Sequence, residues 1–284
     1  MEAINKEAYL PKLHNEILEI MDEIHNLCKD NGLRYYLCAG SLLGAIRHNG
    51  FIPWDDDLDI MMPREDFNRF INICSDKLGD RFSLAWITTE KKYSRGFAKV
   101  CKKGTLFQED NGRTVSKWGI FVDIFPIDLT DGSIDEIAQT KERYRRVLGI
   151  IEQKDITDRL PFPKNVIISL IPRKLLFAML DWISVGKSKT GRYYTRFASQ
   201  YPGERVTYPV ETFGEGVLHS FEDRNYIIPT DYDYHLKTTY GSKYMELPPE
   251  EKRRCHYPRK VIFSDGLIME FEAPKKRVTA NETI

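Results

Sequence analysis

Apolar positions in the first thirty residues recur at steps of three and four. Leu10, Leu13, Ile17, Ile20, Ile24 and Leu27 form one stripe, the mark of a long helix packed on one side. Asn31-Gly32 then supplies a stop, because glycine enters the left-handed backbone that ends helices. Residues 34–39 are short and aromatic, which predicts a strand, and they run directly into Gly40-Ser41 and a compact helical stretch over 42–47. His48-Asn49-Gly50 turns the chain toward 51–54 and the acidic run Asp55-Asp56-Asp57. A second strand is predicted over 58–62, closed by Pro63, since proline cannot donate within a ladder. A helix with Phe67, Phe70, Ile71, Cys74 and Leu78 on its buried side follows. Strands are expected over 82–88, 96–101, 105–108 and 120–125, the last ended by Pro126. Beyond about residue 130 the pattern turns helical, and from 193 to 257 it is loop-rich and aromatic.

The fold class expected is α+β, with α/β character in the first half: a small mixed sheet flanked by helices, plus a helical and loop-rich C-terminal lobe. The division is expected at 1–130 for a core with its N-terminal helix and at 131–284 for a helical, aromatic-rich C-terminal lobe.

Composition narrows the function. Of 284 residues, 42% are hydrophobic and 30% charged, and 42 cations balance 42 anions. A neutral chain of this kind is an ordinary globular protein and does not suggest nucleic acid as a partner. Five scattered cysteines without a C-x-x-C pair suit a reducing compartment and argue against a disulfide framework. The opening MEAINKEAYL lacks a basic stretch followed by an apolar one, so no signal peptide is expected. Residues 166–183 are the most apolar segment, interrupted by Pro172, Arg173, Lys174 and Asp181. A bilayer-crossing helix needs about 20 nearly uninterrupted apolar residues. The segment reads as a buried helix of the second lobe or, with cations among its Leu, Phe and Trp residues, as one lying on a membrane surface.

The acidic residues carry the chemistry. Asp57 and Asp59 are two apart on a predicted strand, so both leave the same face while Leu58 points to the core. Asp123 sits in the otherwise apolar Ile120–Phe125, where an unpaired carboxylate is costly to bury. Two carboxylates about 4 Å apart repel by roughly 4 kcal/mol at an effective dielectric of 20. Three that converge require a cation, and hard oxygen ligands favour Mg2+ or Mn2+ over zinc. A run of three aspartates is alone no more than a solvated turn. The combination is more specific: strand, Gly-Ser, short helix, D-x-D on a strand, and a third strand-borne Asp. Gly40 and Ser41 suit a phosphate at a helix start, and Arg47, Lys99, Lys102 and Lys103 are candidate phosphate clamps. Asp123 is the candidate base for an attacking hydroxyl.

The stretch from Tyr36 to His48, with Ala39-Gly40-Ser41-Leu42-Leu43-Gly44, followed by Gly50-Phe51-Ile52-Pro53-Trp54-Asp55-Asp56-Asp57-Leu58-Asp59, closely resembles the LicD family. The likeness continues through Ala98-Lys99-Val100, Gly104-Thr105, Phe121 to Asp128 and Tyr240-Gly241. These are phosphotransferases with a nucleotidyltransferase-type fold, related to the fukutin-type ribitol-phosphate transferases. The resemblance implies transfer of phosphorylcholine from CDP-choline, or a similar CDP-linked donor, to a hydroxyl of a glycan or lipid-linked glycan destined for lipopolysaccharide or teichoic acid. It implies Mg2+, with Asp57 and Asp59 as the metal pair, Asp123 as the third carboxylate, and Gly40 and Ser41 as the phosphate turn. Asp55 falls in the same alternating register and is held in reserve. Work in the cytoplasm, at the inner face of the membrane, is the location implied. For a choline head group, aromatic faces are needed, and Trp54, Trp118, Tyr232 and Tyr240 are the candidate choline or sugar contacts. Two other readings stand beside this one: a nucleotidyltransferase that releases pyrophosphate, and a catalytically silent glycan- or nucleotide-binding protein.

Overall fold

The computed structural model describes residues 6–90, 92–110, 115–185, 191–253, 255 and 258–271. Residues 1–5, on which the absence of a signal peptide was partly read, and Tyr257 lie outside them. The first helix, α1 (Lys6–Asn31), buries its stripe of Leu13, Ile17, Ile20 and Ile24 and stops at Gly32, whose φ is 60°. The next elements are β1 (Tyr36–Leu37), α2 (Ala39–His48), β2 (Asp59–Pro63), α3 (Arg64–Lys77), β3 (Phe82–Ala85) and β4 (Ala98–Lys102). Then come β5 (Leu106–Asp110), β6 (Val115–Trp118) and β7 (Phe121–Thr130). The later chain forms α4 (Ile134–Lys154), α5 (Lys164–Leu170), α6 (Arg173–Val185), β8 (Tyr193–Thr195) and β9 (Thr207–Pro209). It ends in β10 (Val217–Phe221), β11 (Arg224–Ile228), α7 (Tyr232–Tyr240), β12 (Lys260–Ile262) and β13 (Ile268–Glu270).

The class is α+β. The main sheet runs β1-β2-β7-β4-β3, with β8 paired to the far end of β7 and β9 to β8. Only β2 and β7 pair in parallel there; the other pairings are antiparallel. A second sheet, β13-β12-β5-β6, and the hairpin β10–β11 complete the strands. Side chains alternate across the main sheet. Leu37, Leu58, Ile60, Met62, Val100, Val122 and Ile124 join α1 and α3 in the larger core. Tyr36, Met61, Phe125 and Ile127 face the other way and pack with Tyr194, Tyr208 and Phe213. A third cluster holds α6 on α4 through Tyr144, Val147, Leu176, Phe177 and Leu180.

Several expected boundaries move, each for a physical reason. The strand over 34–39 contracts to two residues because the chain enters α2 already at Ala39. The strand over 58–62 begins at Asp59, so Asp57 lies in the preceding segment and not on it. Pro126 does not end β7. Asp123 donates its backbone N–H toward β2 at Leu58, so alternation turns the Pro126 nitrogen to the opposite side. There β4 has ended its pairing at Ile124 and β8 begins at Asp128, so no ladder bond is lost. The second half is also richer in strands than its loop-like composition suggests. Segments of three residues, such as β8, β9, β12 and β13, are too short for alternation to register.

Residues 166–183 break at Ile171-Pro172 into α5 and α6, and much of their apolar surface is exposed. Among the described residues no helix is long and apolar enough to cross a membrane. All five cysteines are free.

Candidate active site

The site begins with a strained turn. Ala39 joins β1 to α2 with φ 49°, a conformation that costs a residue with a Cβ about 1 kcal/mol or more. Two hydrogen bonds hold it on β2: Cys38 N–H donates to the Asp59 carbonyl at 3.1 Å, and Asp59 N–H donates to Ser41 Oγ at 2.7 Å. The Ser41 hydroxyl thus anchors Asp59 to the first turn of α2. Gly40 answers a close approach, since a Cβ there would lie 2.6 Å from Asp55 Oδ2. Gly40 and Ser41 therefore position the acidic segment directly.

Asp59 and Asp123 are partners on the parallel pair β2–β7, and Lys99 is the partner of Asp123 on the antiparallel pair β4–β7. The three side chains consequently leave one face of the sheet in a row. Lys99 is buried, and its Nζ donates to Asp123 Oδ1 at 2.7 Å while lying 3.1 Å from the centre of the Phe121 ring. Asp55, Asp57 and Asp59 remain half-buried. Burial, then the negative charges of Asp57 and Asp123, push the Asp59 carboxyl well above the usual range, against Arg196 and Lys99. Burial, then Asp57, Asp56 and Asp59, do the same to Asp55. Asp123 is raised by burial even though Lys99 pulls it down.

Negative charge therefore exceeds the positive charge on hand, and the donors are hard carboxylate oxygens, the set that suits Mg2+ or Mn2+. Among the described residues, however, no three His, Cys, Asp or Glu side chains close into a ligand group. Asp59 and Asp123 are neighbours, Asp57 bears on Asp59, and Lys99 occupies one oxygen of Asp123. The residues fit a divalent ion by donor type and charge, and not as a finished cage.

Arg196 is not among the residues the sequence points to, yet it faces this cluster. It follows β8 directly, is buried, lies 4.9 Å over the Phe125 ring, and donates from Nη1 to Cys38 Sγ at 3.3 Å. An arginine has five donors in a planar fork, which leaves most of this one for a ligand. Lys141 of α4 holds its loop by donating to the carbonyls of Arg196, Phe197 and Ser199 at 3.4, 3.2 and 2.5 Å. Tyr201 and Tyr240 meet edge to face at 6.1 Å, and Arg196 and Asp55 both bear on Tyr240. The signal in the sequence was a cation closing a run of β-prone aromatics, Tyr193-Tyr194-Thr195-Arg196.

Most other expected contacts have partners of their own. Arg47 is seven residues along α2 from Gly40, about 10 Å at the helical rise, and donates to the carbonyls of Tyr244 and Glu246. Lys102 points to the opposite face of β4 from Lys99 and pairs with Glu16 and Glu19 of α1, so it ties the sheet to that helix. Lys103 is exposed. Trp54 lies under Arg253 at 5.4 Å with His48 edge-on. Trp118 packs 5.4 Å from Tyr93 and has a buried indole N–H with no partner among the described residues. Tyr232 is exposed at the start of α7. Asp128, the last acid of the resembling stretch, forms a buried two-pronged pair with Arg64 at 2.7 and 3.0 Å.

A parallel strand pair carrying two acids at one register, fed by a tight strand-to-helix turn, gives this α+β fold an acidic centre. The comparisons with known proteins agree. A family model described as LicD/FKTN/FKRP, nucleotidyltransferase domain, matches residues 32–167. The Haemophilus influenzae lipopolysaccharide cholinephosphotransferase LicD is 30% identical over 261 residues, which cover 84% of this chain and 92% of that protein. The human ribitol 5-phosphate transferase FKRP is 32% identical over 160 residues, 49% of this chain and 31% of FKRP. A Rickettsia prowazekii protein, RP689, is 40% identical over 105 residues, 37% of this chain and 36% of its own. The chain belongs to the LicD family.

Proposed function

We propose that this protein transfers phosphorylcholine, or a similarly substituted phosphate, from a CDP-linked donor to a hydroxyl of a cell-surface glycan precursor. The observation that carries the reading is the row Asp59–Asp123–Lys99 on adjacent strands, with Arg196 on the same centre. Excess carboxylate beside two buried cations is what a diphosphate and its counter-ion need. Relatives named for cholinephosphate and ribitol 5-phosphate transfer support the reaction class.

Asp57 and Asp59, with the free oxygen of Asp123, would hold Mg2+, which when bound neutralises the donor's diphosphate. Arg196 offers its fork to a phosphoryl oxygen, and Phe125 keeps that guanidinium in plane. Asp123, raised by burial, accepts the proton of the acceptor hydroxyl. The acceptor oxygen attacks the phosphorus that bears the choline. The bond from that phosphorus to the CMP oxygen breaks, and CMP leaves with the electron pair. Lys99 stabilises Asp123 in its charged form before the transfer. Tyr201 and Tyr240 wall the centre and exclude water. Nucleotidyl transfer would use the same acids and differ in which phosphorus is attacked.

The test is incubation with CDP-choline, Mg2+ and a glycan acceptor extract, followed by mass spectrometry of both products. CMP release with a phosphorylcholine mass added to the glycan is the expected result, and it should stop when EDTA removes the metal. Phosphocholine release with CMP attached to the glycan would replace this reading with nucleotidyl transfer. No turnover with any CDP-linked donor would favour a silent binding protein.

A further inference from the structure

Helix α6 is apolar on two sides. Leu176, Phe177 and Leu180 face α4 and are buried. Leu175, Met179 and Trp182, at steps of four and three, form a second stripe turned away from the fold, and Trp182 is 74% exposed. Helix α5 repeats the arrangement: Ile168 is buried, whereas Val166, Ile167 and Leu170 are exposed, Leu170 by 76%, and Phe162 just before it by 82%. A helix apolar all round belongs in a core or against a nonpolar phase, and contiguous exposed apolar patches mark interaction surfaces.

The face is built and not frayed. Lys154 donates to the carbonyls of Ile168 and Ser169 at the end of α5, at 2.7 and 3.1 Å. Arg173 ties the start of α6 to Asp155 at 2.7 Å and to the Tyr93 carbonyl at 2.8 Å. Exposure of the stripes is thus fixed by part-buried polar anchors.

Charge identifies what covers it. On α5 and α6, Arg173 is paired with Asp155 and the exposed Asp181 lies 3.9 Å from Arg64, so the charges that remain on these helices are two lysines, Lys164 and Lys174. Lys164 and Lys174 are exposed beside the apolar stripes. A second copy of the chain docked here by twofold symmetry would set these lysines against their own equivalents. A surface of anionic lipid would instead meet them with phosphates and take up Trp and Leu at its boundary.

We propose that the α5–α6 face docks the protein on an anionic membrane surface. The proposal does not depend on the transfer reaction. It is tested by flotation of the full chain with vesicles of phosphatidylcholine alone and of phosphatidylcholine with phosphatidylglycerol in equal parts. Binding to the anionic vesicles only is expected, weakening as salt rises. Leu170→Glu with Trp182→Glu, and separately Lys164→Glu with Lys174→Glu, should each lower the partition coefficient by roughly tenfold or more. Both pairs lie on the surface, so the melting temperature should stay near that of the parent. Failure of the parent chain to float with phosphatidylglycerol, or undiminished flotation of both double variants, overturns the proposal. So does a dimer in sedimentation velocity that Leu170→Glu dissociates without any vesicle binding, which would assign the face to a second copy.

Discussion

Asp59 is a carboxylate kept where it is electrostatically unwelcome. Its neighbours Asp57 and Asp123, together with burial, favour the neutral form, and the strained Ala39 turn holds its backbone in place. Asp59→Asn removes that repulsion while keeping the size. Melting should show a variant stabilised by roughly 1–2 kcal/mol, the usual gain when an active-site conflict is relieved, yet without measurable product formation. A destabilised variant, or one that keeps its rate, would refute the picture of a charge cluster reserved for a ligand. Arg196 makes the complementary case. Lysine keeps the charge but loses the planar fork and its seat over Phe125, so Arg196→Lys should cost roughly a hundredfold in kcat. Steady-state kinetics with CDP-choline would read this, and an unchanged kcat would remove Arg196 from the phosphate.

At the scale of elements, α7 supplies a group the acidic centre does not use. His235 is buried, stacked on Tyr208 at 4.0 Å, and its ring is held neutral, pushed down to about 3 by burial and then by Arg196. The unfolded chain takes up this proton below about 6.5, the folded chain only near 3. Stability therefore falls as pH drops through that window, because the unfolded state binds more protons there. His235→Gln lacks the proton. The stability advantage of the parent over this variant should shrink by about 1.4 kcal/mol for each pH unit below 6.5, as measured by urea unfolding at pH 7.5 and 5 (roughly, within the range where the fold persists). Parallel pH curves would show the ring to be solvated.

The same scale explains what was legible in the sequence. Periodicity over a full turn or more revealed α1 and α3, and the unbroken motif from Gly40 to Asp59 exposed the acidic centre. Arg196 and β8 were hidden because pairing between β7 and β8 spans about seventy residues of chain and only three residues of strand. The bond between Ser41 and Asp59 was hidden for a related reason: the helix position of Ser41 was visible, but not that Asp59 N–H would reach its oxygen.

For the whole molecule, the question is whether a boundary near residue 130 separates units that fold alone. Strand β7 runs to Thr130 and finds its last partner in β8. The larger core takes Tyr9, Leu13 and Ile60 from the early chain and Phe221, Tyr226, Ile228, Leu236 and Phe263 from the late chain. Arg224 and Tyr226 of β11 both bond Asp22 of α1, and the Tyr36 hydroxyl donates to the Gly214 carbonyl. A fragment ending at 130 would expose the face of Met61 and Phe125 that Tyr194, Tyr208 and Phe213 cover. Burying one large apolar side chain contributes about 1.5–3 kcal/mol, and whole domains are stable by only about 5–15 kcal/mol, so losing several such contacts exceeds the margin. The fragment 1–130 should show no cooperative urea transition by circular dichroism. The full chain should unfold the first-half sheet and the β10–β11 hairpin together, with coincident fluorescence and circular dichroism midpoints. A fragment that folds cooperatively would mean that the late strands and α7 are an addition to a finished core, and Arg196 would then be a loan from a separate unit to the acidic centre.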